Sequence, residues 1–248
     1  MTSSRQARDD RERIMGKTVV IKAEKVERSF EVGEGHIRVL RGVDLEIHSG
    51  DFAVIFGPSG CGKSTLLNII LGIDVPTSGV VHVRDTNIVN LSEDERAIFR
   101  SRKIGMVHQM PYWVKSIDVR HNVALPLIIK GESQEKALEK ADKLLRDLGV
   151  FKLGKKRPTQ LSGGEQQKVG IARALICEPW IIMADEPTGN LDSEAGEEIM
   201  ELLRKLNREE GRTILLVTHN DRYWNAGNRR IEMEDGRIVK DVQHKDGK

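Results

Sequence analysis

The sequence predicts an α/β fold: a mostly parallel sheet, an N-terminal antiparallel β subdomain and an inserted α-helical subdomain. Three observations carry this reading. Short apolar stretches at 51–56, 180–185 and 213–218 alternate with helical patterns, as in a parallel sheet covered on both faces. Near the N-terminus, two alternating stretches at 19–30 and 36–47 flank Gly33 and Gly35, the pattern of a hairpin. About 120 residues lie between Ser64 and Trp180, whereas one parallel crossover needs only about a dozen. A largely helical lobe is therefore expected in between.

The elements follow in order. The strand at 51–56 runs into glycines, and 63–71 reads as a helix. The stretches 79–84 and 87–89 read as strands around Asp85-Thr86, and a helical pattern at 93–100 leads into a strand at 104–108. The clearest amphipathic helix is 133–148, with Ala137, Ala141, Leu144, Leu145 and Leu148 on one stripe. Helix 163–177, strand 180–185, helix 193–210 and strand 213–218 then alternate. In the helix at 193–210, Ile199, Leu202, Leu203 and Leu206 are spaced to face a core. A final hairpin, 229–234 with 237–242, turns at Asp235-Gly236. One domain is expected at 18–245, with the inserted lobe at about 92–165. The polar stretch 1–17 reads as a disordered tail.

Composition limits the function classes. Hydrophobic residues make up 38% of the 248, enough for a real core. With 40 basic and 38 acidic residues the net charge is +2, which gives no support to bulk nucleic-acid binding. Cys61 and Cys177 are too few for a disulfide framework and read as reduced thiols. No apolar run approaches the ~18–20 residues that cross a bilayer, and no apolar region at the N-terminus marks a secretory signal. A membrane role is expected to come through a partner.

Gly57-Pro58-Ser59-Gly60-Cys61-Gly62-Lys63-Ser64 fits G-x-x-x-x-G-K-[ST] between an apolar strand and a helix. Glycines let successive backbone N–H groups wrap phosphate oxygens, and the helix N-terminus adds partial positive charge. Lys63 brings a full charge to the β- and γ-phosphates. The Ser64 hydroxyl suits Mg²⁺, a hard cation that prefers oxygen. Binding and hydrolysis of a nucleoside triphosphate, ATP above all, are expected. Cys61 falls at a variable position of the loop and gets no redox role.

The apolar strand 181–184 ends in Asp185-Glu186. Two acids there are costly unless they have partners. Beside a phosphate loop, Asp185 would hold Mg²⁺, and Glu186 would orient or deprotonate the attacking water. Alternatively, both cap the next turn. His219, at the tip of strand 213–218, is a candidate for contact with the γ-phosphate or the water, and equally a structural histidine. Gln109, after strand 104–108, says little alone. Ser162-Gly163-Gly164-Glu165 reads as a capping box opening a helix. That leaves two consecutive glycines unexplained, since glycine weakens a helix. They make sense if a phosphate must reach the bare helix N-terminus.

Leu161-Ser162-Gly163-Gly164-Glu165-Gln166-Gln167 resembles the signature motif of ABC ATPases, the nucleotide-binding subunits of ATP-binding-cassette transporters. The remaining motifs stand in that family's order: phosphate loop, Gln109, signature, Asp185-Glu186, Asp192 and His219. The resemblance runs from about Val19 to Val242 and implies a P-loop NTPase core. It implies that ATP is held by Gly57, Ser59, Gly60, Cys61, Gly62, Lys63, Ser64 and Thr65. Phe30 would stack on adenine where the family often has Tyr. Mg²⁺ would be held by Ser64, Gln109 and Asp185, and catalysis would use Glu186, His219, Lys63 and Gln109. Ser162, Gly163, Gly164 and Asp192 would act on the nucleotide of a second protomer, so a homodimer sandwiches two ATPs. Integral-membrane permease subunits on another chain are implied as partners, with the ATPase on the cytoplasmic face of the membrane and no nucleic acid involved.

The string 184–192, Asn122-Val123-Ala124-Leu125-Pro126-Leu127 and Pro76-Thr77-Ser78-Gly79 resemble the lipoprotein-releasing and macrolide-export group, LolD- and MacB-like. The cell-division ATPase is a close cousin, so a regulatory or mechanotransmission subunit is the alternative. A soluble ABC ATPase acting on DNA or ribosomes would carry long coiled coils, zinc modules or two cassettes. The sequence departs from the family at His108 and at Met110-Pro111-Tyr112-Trp113, on the expected partner side.

Overall fold

A computed structural model describes residues 18–33 and 35–244. The tail expected at 1–17 lies outside the described residues. β1 (Val19–Val32) and β2 (Gly35–His48) pair antiparallel, from Val32 opposite Gly35 to Val19 opposite His48. β4 (Ser78–Val83) joins the other edge of β1, and β5 (Thr86–Asn87) completes a four-stranded antiparallel sheet in the order β2-β1-β4-β5. The strand expected at 87–89 is shifted and cut short: it ends at Asn87 as β5. The Asn87 side chain accepts from the Val89 N–H at 3.0 Å, and a 3₁₀ turn, Ile88–Asn90, follows. A local bond of this kind competes with a strand ladder.

The second sheet is built from β3 (Phe52–Phe56), β6 (Ile104–His108), β7 (Ile181–Asp185), β8 (Thr213–Thr218), β9 (Arg229–Glu234) and β10 (Arg237–Gln243). Its order is β10-β9-β3-β8-β7-β6, parallel except for the edge strand β10. The register aligns the strand ends: Phe56 faces Thr218, Val217 faces Asp185, and Asp185 faces His108. Four loops that follow β3, β8, β7 and β6 thus leave the sheet side by side. Crevices at the carboxyl ends of parallel strands are where α/β folds bind ligands.

The central strands β3, β7 and β8 are almost wholly apolar and buried because each of their faces packs into its own core. Ile55, Met183, Leu215 and Val217 point into one core with Ile21, Leu40 and Ile47 of the antiparallel sheet. The same core takes Leu66, Leu67 and Ile70 of α1 (Lys63–Ile70). Val54, Ile182, Ala184 and Leu216 point the other way, onto Ile199, Met200 and Leu203 of α6 (Ser193–Glu210). Of the remaining helices, α2 (Glu93–Lys103) packs Phe99 against the first core. α3 (Val119–Ile129), α4 (Gln134–Asp147) and α5 (Gly163–Leu175) build a third core. It includes Val119, Val123, Ala137, Ala141, Leu145, Val169 and Ala172.

From the sequence no element is assigned at 119–129, where the structure has α3, a helix with Pro126 inside it. The helix persists because Asp118 caps it, accepting from the His121 N–H at 2.8 Å. Pro126 falls near its end and removes a single backbone bond. Among the described residues, no helix is long and apolar enough to cross a membrane.

Candidate nucleotide site

The phosphate loop is held between β2 and the β9–β10 hairpin. A Cβ on Gly57 would stand 2.1 Å from the Met233 carbonyl oxygen, and one on Gly62 would stand 2.8 Å from Leu40 Cδ2. Gly62 also has φ +104, in the left-handed region, so glycine is needed there for both space and backbone. The Gly236 N–H donates to the Cys61 carbonyl at 3.0 Å, and the Arg41 N–H donates to the Gly236 carbonyl at 2.9 Å. These bonds tie the loop to both sheets. No side chain caps the N-terminus of α1, so its first N–H groups are open to an anion. Lys63 is buried, and its ammonium donates to the Gly57 and Pro58 carbonyls at 2.7 and 2.8 Å. Ser64 is exposed and Thr65 half-buried at the mouth of the loop.

The aligned strand ends bring the other predicted groups beside it. Asp185 ends β7 with Oδ1 buried and without a hydrogen-bond partner. Burial pushes its carboxyl up, the neighbouring Glu186 adds to this, and Lys63 opposes it. An orphaned, buried carboxylate oxygen beside the phosphate loop is the donor type that a hard cation takes. Glu186 has φ +47, rare for a non-glycine residue, and its N–H is fixed to the Val217 carbonyl at 2.9 Å. Its Oε1 lies 2.5 Å from His219 Nδ1, and its Oε2 accepts from Thr218 Oγ1 at 3.2 Å. In this contact the carboxylate oxygen accepts and the ring nitrogen donates. Thr218 was not singled out by the sequence reading; its place just before His219 is its only signal.

Gln109 is exposed beyond β6, and its Nε2 donates to Asn190 Oδ1 at 3.3 Å. It lies over Gly189, where a Cβ would come within 2.6 Å of that nitrogen. Gln109 therefore sits on the turn that follows Glu186. Burial and the nearby Arg173 push the His108 imidazole down, and its ring meets Tyr112 edge-on at 5.3 Å. Phe30 lies on the antiparallel sheet, opposite Ile37. The Arg28 guanidinium stands 4.4 Å over its ring.

The signature residues sit apart from this row. Ser162 caps α5 in a full capping box: its Oγ accepts from the Glu165 N–H, and Glu165 Oε2 accepts the Ser162 N–H at 2.8 Å. That leaves the Gly163 and Gly164 N–H groups without intrahelical acceptors. The two glycines also have a packing cause. A Cβ on Gly163 would be 3.0 Å from Leu191 Cδ2, and one on Gly164 would be 3.2 Å from Ala195 Cβ. Asp192 caps α6, accepting from the Ala195 N–H at 2.8 Å. Ser162, Gly163, Gly164 and Asp192 line a common cavity of about 300 Å³, and none of its lining residues belongs to the phosphate loop.

The sequence profile of the ABC transporter family matches residues 40–189. The chain belongs to that family. It is 41% identical over 220 residues to the lipoprotein-releasing system ATP-binding protein LolD of Syntrophus aciditrophicus, covering 89% of this chain and 99% of that one. It is 44% identical over 224 residues to the macrolide export ATP-binding/permease protein MacB of Aggregatibacter actinomycetemcomitans, covering 90% of this chain. The match spans only 35% of that longer relative. A dimeric structure of the ATP-binding cassette MJ0796 of Methanocaldococcus jannaschii, in a post-hydrolysis state with ADP and Pi, superposes with a TM-score of 0.83 at 40% identity. It covers 92% of this chain and 100% of its own. The ABC chain described here is thus an ATPase cassette of the LolD and MacB type, with the mixed α/β architecture expected from its sequence.

Proposed function

We propose that this ABC ATPase hydrolyses ATP in a head-to-tail dimer to drive a membrane permease on another chain. The work is of the lipoprotein-release or macrolide- and peptide-export kind. The observation that carries the dimer is the separation of the two phosphate-accepting helix ends. The phosphate loop opens at the strand ends, while Gly163 and Gly164 line a cavity without it. Each would meet the ATP of one site only if a second copy supplied the other half. The dimeric relative supports this reading.

Catalysis is positioning and charge stabilisation. Backbone N–H groups of the loop and of α1 hold the β- and γ-phosphates, and Lys63 turns its ammonium from the Gly57 and Pro58 carbonyls toward them. Ser64, Asp185 and Gln109 would hold Mg²⁺, which neutralises charge on the β- and γ-oxygens when bound. Glu186 Oε1 takes the proton of the attacking water, and the contact with His219 Nδ1 keeps that carboxylate aimed. The Ser162 hydroxyl and the Gly163 and Gly164 N–H groups donate to the γ-phosphate of the opposite site. Phe30 offers one ring face to adenine, the other being covered by Arg28. Ser162→Arg should leave nucleotide binding by the single chain intact and abolish turnover. Full turnover in that variant would show that the signature does not reach a phosphate.

A further inference from the structure

We propose that Gln167 is a positioning residue that couples the signature helix to the hydrolytic loops of the same chain. This rests on the dimeric function proposed above. Gln167 lies on α5, three residues after Gly164. Its side chain is 2% exposed, and it reaches backbone far away in sequence. Its Nε2 lies 2.9 Å from the His108 carbonyl, 3.4 Å from the Gln109 carbonyl and 2.6 Å from the Pro187 carbonyl. All three neighbours are acceptors, so the carboxamide has one sensible orientation: nitrogen toward the carbonyls. Its Oε1 is then buried without a partner.

That orientation has a cost. A buried carboxamide oxygen left unmade forfeits solvation, and an apolar side chain of the same volume would avoid it. The three carbonyls explain why a carboxamide stands there. His108 and Gln109 lie at the end of β6, and Pro187 follows Glu186 at the end of β7. One amide group thus ties the backbone that carries Gln109 to the backbone that carries Glu186, and fastens both to the helix whose N-terminus bears Ser162–Gly164.

Neighbouring residues of α5 grip the same segment. Gln166 Oε1 accepts from Trp113 Nε1 at 2.9 Å. A Cβ on Gly170 would stand 3.3 Å from Pro111 Cγ, and the Arg173 guanidinium lies 4.4 Å over the Trp113 ring. Any tilt of α5 as its N-terminus seats on the opposite γ-phosphate moves Gln109 and the Glu186–Pro187 turn with it. Gln167 is the only one of these contacts that reaches both loops. It acts through Gln109 and Glu186 and touches no substrate.

The test uses the full chain with Gln167→Met, which keeps the volume and removes the donors, and Gln167→Glu, which keeps the shape and turns the donors into acceptors. ATP affinity, kcat, KM and melting temperature are measured together. Both variants should bind ATP within about twofold of the parent, with kcat down at least about tenfold, equal to about 1.4 kcal/mol of transition-state stabilisation. Gln167→Glu should be the slower of the two. If Gln167→Glu does not fold, Gln167→Met alone decides. In a Gln109→Ala background, Gln167→Met should lower kcat by less than it does in the parent, because one of its two routes is already gone. An unchanged kcat in Gln167→Met, an additive loss with Gln109→Ala, or a fall in ATP affinity and melting temperature matching the fall in kcat would each overturn the proposal. The parent chain is the control. If it hydrolyses ATP and Gln167→Met matches it, only the coupling role fails. If the parent itself shows no ATPase, the function on which the role rests fails as well.

Discussion

Replacing Glu186 with Gln isolates the proton-accepting step from the rest of the site. The shape is kept, and the amide oxygen can still accept from Thr218 Oγ1, now 3.2 Å from Oε2. What is lost is the carboxylate that faces His219 Nδ1 at 2.5 Å and would take the water proton. General-base catalysis contributes about 10²–10⁴-fold, so turnover should fall by that factor, or about 3–5 kcal/mol of barrier. The fold should not suffer, because Glu186 is one of the two causes that push the Asp185 carboxyl up. Removing its charge relieves that repulsion. Phosphate release gives the rate, and size exclusion with Mg²⁺ and ATP gives the assembly state. The expected result is a slow enzyme that accumulates as an ATP-bound dimer. Turnover within about threefold of the parent would refute the assignment of Glu186 as base.

Two further outcomes follow from the same geometry. Gly189→Ala places a Cβ 2.6 Å from Gln109 Nε2; it should cut kcat about ten- to a hundredfold while leaving the melting temperature close to the parent's, since both residues are exposed. Asp185→Asn should abolish hydrolysis yet raise the melting temperature without nucleotide or metal, by about 2–4 °C for each kcal/mol relieved. The sign follows from the raised carboxyl: the folded chain holds the proton more tightly than the unfolded one. Stability from this group is therefore full below the unfolded value, about 3.9, and is lost as pH rises through the higher folded value. The variant should flatten that part of a melting-temperature profile against pH.

The parts of the site legible in the sequence are those whose chemistry is local. The phosphate loop is one continuous string, and strand ends announce themselves where an apolar run stops at Asp185 or His219. Both faces of the main sheet were legible for the same reason: strands buried on two sides carry no alternation to misread. Elements governed by distant partners were not. Asn122 stands in the string 122–127, but nothing in that string announces its hydrogen-bond partners. It is fully buried, accepts from the Val114 N–H at 3.0 Å and donates to the Val114, Ile117 and Asp118 carbonyls. It thereby anchors the segment after Gln109 to α3. Gln167 reads as one more polar residue on a helix, because its partners lie 59, 58 and 20 residues away. The double glycine was read for phosphate access alone; its packing against Leu191 and Ala195 needed the fold.

The central claim, that each hydrolytic site takes its phosphate loop from one copy and its signature from another, is tested most directly by mixing two dead chains. Lys63→Ala disables the loop and Ser162→Arg disables the signature. Each variant alone should be inactive. In a mixed dimer, the intact loop of one chain would face the intact signature of the other, while both lesions fall in the second site. At equal amounts, half of the dimers are mixed and each holds one working site of two, so ATPase activity should return to about a quarter of the parent's if the sites act independently. No activity above the sum of the separate variants, with mixed dimers demonstrated in solution, would contradict the claim.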